Sequence, residues 1–360
     1  MKTMLLHVSV GMNSMTIDHV LLKLSEIKKH YPVRRGVLLR QVAVVHAVDD
    51  VSLSVNVGET LGIVGESGCG KSTLARCIMR LEELTSGSIE FEGADIGSLR
   101  NRELKPLRRK MQMIFQDPSD SLNPRHPVGN TLEEPFLIHA IGSESERKAQ
   151  VAMLLKRVGL NEDVAHRFPH EFSGGQRQRI GIARAIALQP KLLVCDEAVS
   201  ALDVSIQSQI LNLLMSLQRE MGLTLIFIAH DLSVVKHISD RIAVMYLGKI
   251  VETADAETLY RRPLHPYTQS LIAAIPVPDP VSRKPLHAFA GDVPSPINPP
   301  AACRFHTRCP FVQEICRREE PLLQARAGGS AEHKIACHFA GEVFVEELAA
   351  GSATKKSVSG

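Results

Sequence analysis

Three short, almost wholly apolar runs punctuate the chain: Thr60-Leu61-Gly62-Ile63-Val64, Lys191-Leu192-Leu193-Val194-Cys195 and Leu223-Thr224-Leu225-Ile226-Phe227-Ile228-Ala229. None shows a polar alternation, which fits strands buried on both faces, as in a parallel sheet. Residues 16–60 differ: they read as short strands with alternating apolar positions such as Val51, Leu53 and Val55. The period turns helical over residues 73–79, and again from about residue 123 to 172, where residues 149–158 are amphipathic. It is helical once more after Ser173, where Ile180, Ala183, Ile186 and Ala187 share a face. Residues 263–300 hold 10 of the chain's 20 prolines, which excludes long regular elements and predicts an extended connector lying against a partner. With 360 residues the pattern describes an α/β chain of one large domain and a smaller appendage.

The first apolar run leads into Gly65-Glu66-Ser67-Gly68-Cys69-Gly70-Lys71-Ser72, followed by Thr73 and the helical period. A strand, a G-x-x-x-x-G-K-[ST] loop and a helix make a phosphate cradle: glycines let backbone N–H groups curl around an anion, and the helix N-terminus adds positive potential. Lys71 supplies a charge to the β and γ phosphates, and Ser72 a hydroxyl to Mg²⁺.

The other two runs end in polar residues as well, at Asp196-Glu197 and at His230-Asp231. Successive side chains of an extended segment point to opposite sides, so adjacent carboxylates at a strand end serve different tasks. Asp196 suits the Mg²⁺ shell, Glu197 suits polarising the attacking water, and His230 suits holding that water or the γ phosphate. Alone, an Asp-Glu pair is often a helix cap and a histidine is often structural. Their order after a phosphate loop favours catalysis, since ligands of open α/β sheets gather at the carboxyl ends of strands.

Phe172-Ser173-Gly174-Gly175-Gln176 places a serine at the N-cap of the next helix, with two glycines in its first turn. That creates a second anion site, for which a chain with one phosphate loop has no internal use.

These motifs together resemble the ATP-binding subunits of ABC transporters. In that resemblance residues 65–72 are the Walker A motif, residues 192–196 the Walker B motif, Glu197 the catalytic glutamate and residues 172–176 the signature, with Phe172 in place of the usual leucine. Gln116, in Ile114-Phe115-Gln116-Asp117-Pro118, matches the Q-loop glutamine, a ligand to Mg²⁺ and a sensor of the permease; Ser200-Ala201-Leu202-Asp203 matches the D-loop and His230 the switch histidine. Tyr31 stands where the family places an aromatic against adenine. Ala198 departs from the proline that commonly follows the glutamate. The family binds two ATP molecules between two such domains head to tail, so Ser173, Gly174, Gly175, Gln176 and Asp203 would complete a partner's site. The implied fold is a P-loop ABC ATPase: a RecA-like core with an antiparallel β subdomain and a helical subdomain, plus a small cysteine-containing C-terminal extension.

Leu122-Asn123-Pro124-Arg125, Arg262-Pro263-Leu264-His265-Pro266-Tyr267-Thr268 and residues 292–300 narrow the resemblance to dipeptide and oligopeptide importers, over residues 21–339. It implies a related second ATP-binding subunit forming a heterodimer, two transmembrane permease subunits and an extracytoplasmic binding protein, with this chain peripheral at the cytoplasmic face of the inner membrane. Dipeptides or oligopeptides are the expected cargo, with nickel, glutathione or haem as alternatives. A soluble ABC ATPase of DNA repair or translation would want a coiled-coil insertion or a second nucleotide domain, and this chain has neither.

Composition agrees with that class. No apolar stretch approaches the ~20 residues needed to span a bilayer. A net charge of +3, no tryptophan and 4% aromatics argue against a nucleic-acid partner. The opening Met1-Lys2-Thr3-Met4-Leu5-Leu6 makes a poor secretory signal. Residues 1–15 read as a disordered extension, or Met15 as the true start; residues 16–262 read as the ATP-binding domain, with the helical subdomain near 123–180. Residues 263–345 read as the proline-rich connector and cysteine region, and residues 346–360 as a disordered tail. Cys303, Cys309, Cys316 and Cys337 are clustered there, at intervals unlike the paired spacing of zinc ribbons. In a reducing compartment four such thiols suggest a soft metal site. Some peptide-importer subunits carry a 4Fe-4S cluster on a similar set, so cluster, zinc or no metal stay open, with Arg304, Arg308, Arg317 and Arg318 available to offset thiolate charge. Cys69, Cys77 and Cys195 read as small packing residues.

Overall fold

A computed structural model describes residues 20–36, 40–117, 122–275, 292–325 and 330–340. The terminal extensions expected at 1–15 and 346–360, and residues 276–291 of the proline-rich connector, lie outside the described residues.

The chain begins with β1 (Val20–Arg35) and β2 (Arg40–Asn56), an antiparallel pair of 16 and 17 residues. The alternating pattern predicts short strands here, whereas the structure has two long ones broken by register shifts. Each shift resets the alternation, so one bulged strand reads like several short ones. One shift lies between Leu24 and Ile27, where Glu26 adopts φ 51.

The buried strand β3 (Thr60–Val64) follows, then β4 (Ser86–Phe91) and β5 (Ala94–Asp95), which join the first pair in a four-stranded sheet of order β2-β1-β4-β5. Next come β6 (Met111–Ile114), β7 (Leu192–Asp196), β8 (Thr224–Ala229), β9 (Arg241–Tyr246), β10 (Lys249–Asp255), β11 (Gln324–Ala325) and β12 (Lys334–Ile335). Together with β3 they form an eight-stranded sheet of order β11-β12-β10-β9-β3-β8-β7-β6. The block β9-β3-β8-β7-β6 is parallel, and β10, β12 and β11 extend it antiparallel.

Every residue of β3, β7 and β8 is buried, as the unbroken apolar runs predict. The two faces serve different cores. Leu193, Cys195, Leu225 and Phe227 face one core, shared with helices Val128–Ile138, Glu144–Arg157 and Gly174–Ile186. Leu192, Val194, Ile226 and Ile228 face another, shared with the four-stranded sheet and helix Lys71–Ile78. Burying both faces of a central strand is what a run without alternation requires.

The C-terminal region is woven into this frame. Pairing of β12 with β10 adds it to the core sheet, while Tyr267 and Phe305 sink into the first core. Within the proline-rich stretch, residues Pro266–Ala273 form a helix, with Pro266 in its first turn and His265 capping Tyr267 N–H. A proline is tolerated there because that N–H has no helical acceptor. A later part of the stretch lies against the chain itself: the Pro296 carbonyl accepts a hydrogen bond from His46 N–H at 2.9 Å.

Candidate active site

Residues 65–72 bridge β3 and helix Lys71–Ile78. Gly70 has φ 108, and a Cβ there would stand 2.0 Å from the Ala47 carbonyl oxygen. Glycine is therefore required both by conformation and by space. Lys71 is 4% exposed, and its ammonium spans the loop, donating to the carbonyls of Gly65 at 2.8 Å and Glu66 at 3.0 Å. Cys69 is buried beside it, with its thiol pushed above the ordinary range by desolvation. Thr73 lies in the first turn of the helix and meets the hydroxyl of Tyr31.

Ser72 donates its hydroxyl to Asp196 Oδ1 at 2.8 Å. Burial pushes the Asp196 carboxyl pKa up, so its negative charge is under-compensated within the chain. A hydroxyl and an under-compensated carboxylate, both hard oxygen donors, fit Mg²⁺.

Adjacent in sequence, Glu197 joins another set of residues. Its Oε2 accepts a hydrogen bond from Gln116 Nε2 at 2.9 Å and lies 3.9 Å from His230 Nδ1. Three neighbouring strands deliver these groups from their carboxyl ends: β6 leads to Gln116, β7 to Glu197 and β8 to His230. Glu197 adopts φ 48, a left-handed conformation that costs a non-glycine residue of order 1–3 kcal/mol and recurs at functional sites. Gln116, expected on Mg²⁺, turns its amide nitrogen to Glu197.

Tyr31 sits on β1 with the Lys29 ammonium 4.7 Å from its ring centroid. Its hydroxyl pKa is raised, chiefly by burial and the nearby Glu82 carboxylate.

Ser173 caps helix Gly174–Ile186: its hydroxyl accepts from Gln176 N–H at 3.3 Å, and Gln176 Oε1 accepts from Ser173 N–H at 3.0 Å. The pair is an exposed capping box. Gly175 packs so tightly on the following helix that a Cβ would stand 2.5 Å from Ile206 Cγ2. Gly174 lies near Leu202, and Asp203 is exposed at the N-cap of helix Val204–Met221. The signature residues are thus held against residues 202–206 and stay open to solvent.

Cys303, Cys309, Cys316 and Cys337 line one cavity of about 20 Å³, and all four are free thiols. Burial pushes Cys303 up to about 11 and Cys337 up to about 12. Two of the four arginines expected as counter-charges, Arg304 and Arg308, are engaged elsewhere, which corrects that role for them. Arg304 pairs with Asp49 and the Leu247 carbonyl, and Arg308 grips Glu66 of the phosphate loop. The hydroxyl of Tyr267 also accepts the Glu66 N–H at 2.8 Å. Sequence spacing carried no signal for these contacts, because the partners of Glu66 lie 201 and 242 residues away.

Comparison with known proteins agrees with this geometry. The family described as ABC transporter matches residues 48–200, and the family described as oligopeptide/dipeptide transporter, C-terminal region, matches residues 251–316. A probable peptide ABC transporter ATP-binding protein of Sinorhizobium fredii is 54% identical over 89% of this chain and 90% of its own. The chain belongs to the ABC transporter ATP-binding proteins, in their oligopeptide and dipeptide branch. The oligopeptide transport ATP-binding protein AppF of Bacillus subtilis is 52% identical over 89% of the chain and 98% of its own length. For OppF of Escherichia coli, likewise named an oligopeptide transport ATP-binding protein, the figures are 49%, 91% and 98%. Among solved structures, the dimeric post-hydrolysis state of the ATP-binding cassette MJ0796, bound to ADP and phosphate, superposes with a TM-score of 0.59 at 31% identity. It covers 65% of this chain and 98% of that one. Membership with an intact phosphate loop makes this ABC protein an ATPase.

Proposed function

We propose that this chain is the ATP-hydrolysing subunit of a peptide importer, working beside a related, non-identical ATP-binding subunit. The observation that carries the reading is the coexistence of two intact half-sites. Lys71, Ser72, Asp196, Glu197, Gln116 and His230 gather on one side, and an exposed Ser173–Gln176 cap stands on its own helix. Two chains placed head to tail would bring the second half-site of each onto the nucleotide of the other. The names of relatives about half identical to it supply the cargo class.

In this reading the loop N–H groups and Lys71 hold the β and γ phosphates, and Tyr31 offers its ring to adenine. When bound at Ser72 and Asp196, Mg²⁺ offsets phosphate charge. Glu197 accepts a proton from the attacking water, His230 orients it, and Gln116 ties Glu197 to the segment facing the permease. Ser173, Gly174, Gly175, Gln176 and Asp203 contact the nucleotide held by the partner subunit. Two permease subunits and an extracytoplasmic binding protein complete the importer. The exposed apolar side chains Phe115, Leu137, Ile138 and Phe168 on the Q-loop and helical region support a docked membrane partner. Among the described residues no helix is long and apolar enough to cross a membrane, which fits a peripheral subunit at the cytoplasmic face.

The four C-terminal cysteines are assigned to a 4Fe-4S cluster. All four thiols line one cavity, which places them together as candidate ligands of one metal group. A 4Fe-4S cluster takes four thiolate ligands, the number this cavity offers. Iron and acid-labile sulfide in anaerobically purified protein, with a brown absorbance lost in Cys303→Ser, would support the cluster; stoichiometric zinc or no metal would end it.

The deciding experiment is uptake by the complete complex in proteoliposomes, with its binding protein and competing peptides of different lengths. ATP-dependent accumulation of peptide is expected. Uptake of nickel, glutathione or haem without peptide competition would move the chain to another cargo.

A further inference from the structure

We propose that the turn formed by residues 303–309 braces the phosphate loop, and that Arg308 is a positioning residue that holds the Glu66 carboxylate away from the bound phosphates. The proposal rests on the loop being the ATP site, and goes beyond it to a segment more than 230 residues away.

Glu66 is an awkward residue for this loop. A site that receives the several negative charges of a nucleotide carries a carboxylate in its second position, and unpaired it would repel the ligand. The Arg308 guanidinium meets that carboxylate in a two-pronged pair, with Nη1 2.7 Å from Oε2 and Nη2 3.0 Å from Oε1. The pair is sheltered, at 8% exposure for the Arg308 side chain and 27% for Glu66, so it keeps strength that an open surface pair loses. The Glu66 N–H is held as well, by the Tyr267 hydroxyl. Both ends of the residue are thereby turned toward the C-terminal region.

The support behind Arg308 is rigid. Phe305 stands edge-on to Tyr246, with centroids 5.2 Å apart and planes at 89°, and Tyr267 packs against both rings. Phe305 is 1% exposed, and Tyr246 and Tyr267 are fully buried. A second anchor, Arg304, grips Asp49 of β2 and the Leu247 carbonyl. The next residue, Gly248, donates its N–H to the Cys69 carbonyl of the phosphate loop at 2.8 Å. One turn therefore holds the loop at two places, directly at Glu66 and through the β9–β10 turn at Cys69. Cys303 and Cys309 bound that turn, so the cysteine cavity and the phosphate loop share one scaffold.

The test uses full-length protein in the assembled complex, measuring steady-state ATPase activity and thermal unfolding without nucleotide. Arg308→Ala is expected to raise the KM for ATP about tenfold while kcat at saturating ATP stays within about twofold. Adding Glu66→Gln should recover most of that loss, because no carboxylate is left to repel phosphate. An unchanged KM alongside a lower melting temperature would make the pair a fold contact only and overturn the proposal, as would a double variant no better than the single one. Should Arg308→Ala not fold, Arg308→Lys keeps the charge but loses the fork, and a rise of about threefold in KM is expected in the same assay. Lys71→Ala serves as the control: wild-type ATP binding by that variant would overturn the ATP reading of the loop itself, whatever Arg308 does.

Discussion

Two helix N-termini in this protein offer themselves to phosphate, and they are built in opposite ways. The one after β3 is walled in: Lys71 is 4% exposed, Gly70 is pressed against the Ala47 carbonyl, and Ser72 is bonded to Asp196. The one at Ser173 is open, held by its own capping box and by packing of Gly174 and Gly175 on residues 202–206. The enclosed terminus carries its own lysine and carboxylates, whereas the open one has backbone N–H groups, a hydroxyl and no charged residue in its first two positions. An enclosed site binds its ligand alone, and an open helix terminus adds a modest, screened attraction that matters when another surface delivers the phosphate. On the proposed reading, the difference divides the chain into one binding site and one closing surface.

Several variants would break or sharpen that contrast. The largest effect is expected of Glu197→Gln, which should lower hydrolysis by about 10²–10⁴-fold while ATP is still bound and the closed pair accumulates. Turnover at the normal rate, measured by phosphate release, would remove Glu197 from the chemistry. Lys71→Ala should weaken ATP binding by the isolated chain by about ten- to a hundredfold, read by fluorescent-nucleotide titration, since it deletes the buried ammonium of the enclosed site. Gly175→Ala should act on the other surface alone. With a Cβ placed 2.5 Å from Ile206 Cγ2, it should shift the cap and cut ATPase activity of the assembled complex roughly tenfold, leaving ATP binding by the isolated chain unchanged. If binding by the isolated chain fell equally, the division into two surfaces would be lost. The smallest effect belongs to Tyr31→Ala, about three- to tenfold in ATP affinity and less for a triphosphate without a purine base. An equal loss for both ligands would place Tyr31 in loop support through Thr73 instead.

Much of the proposed catalytic site was legible along the chain because its parts are local. A strand ends, the next residues are polar, and adjacent strands of a parallel sheet put those ends side by side, so Ser72, Asp196, Glu197 and His230 could be assigned from their places after apolar runs. The Ser173 cap was legible for the same reason, since the accepting hydroxyl and the donating N–H lie three residues apart. The long bulged hairpin of β1 and β2 was less so, because register shifts erase the period that a reader counts. The roles of Arg304 and Arg308 were misread. Next to four cysteines they look like counter-charges for a metal, and only the packed positions of Tyr246, Tyr267 and Phe305 turn them toward Asp49 and Glu66.

What the sequence alone determined, then, was the ATP-binding family, the strands and the residues at their ends, since these follow from short-range period and spacing. What only the tertiary structure decided was that Glu197, Gln116 and His230 meet, that Ser173 faces outward, and that the C-terminal region grips the phosphate loop. Those outcomes depend on contacts between residues tens to hundreds of positions apart, whose geometry is set by how strands order in a sheet and how aromatic side chains fill the space behind it.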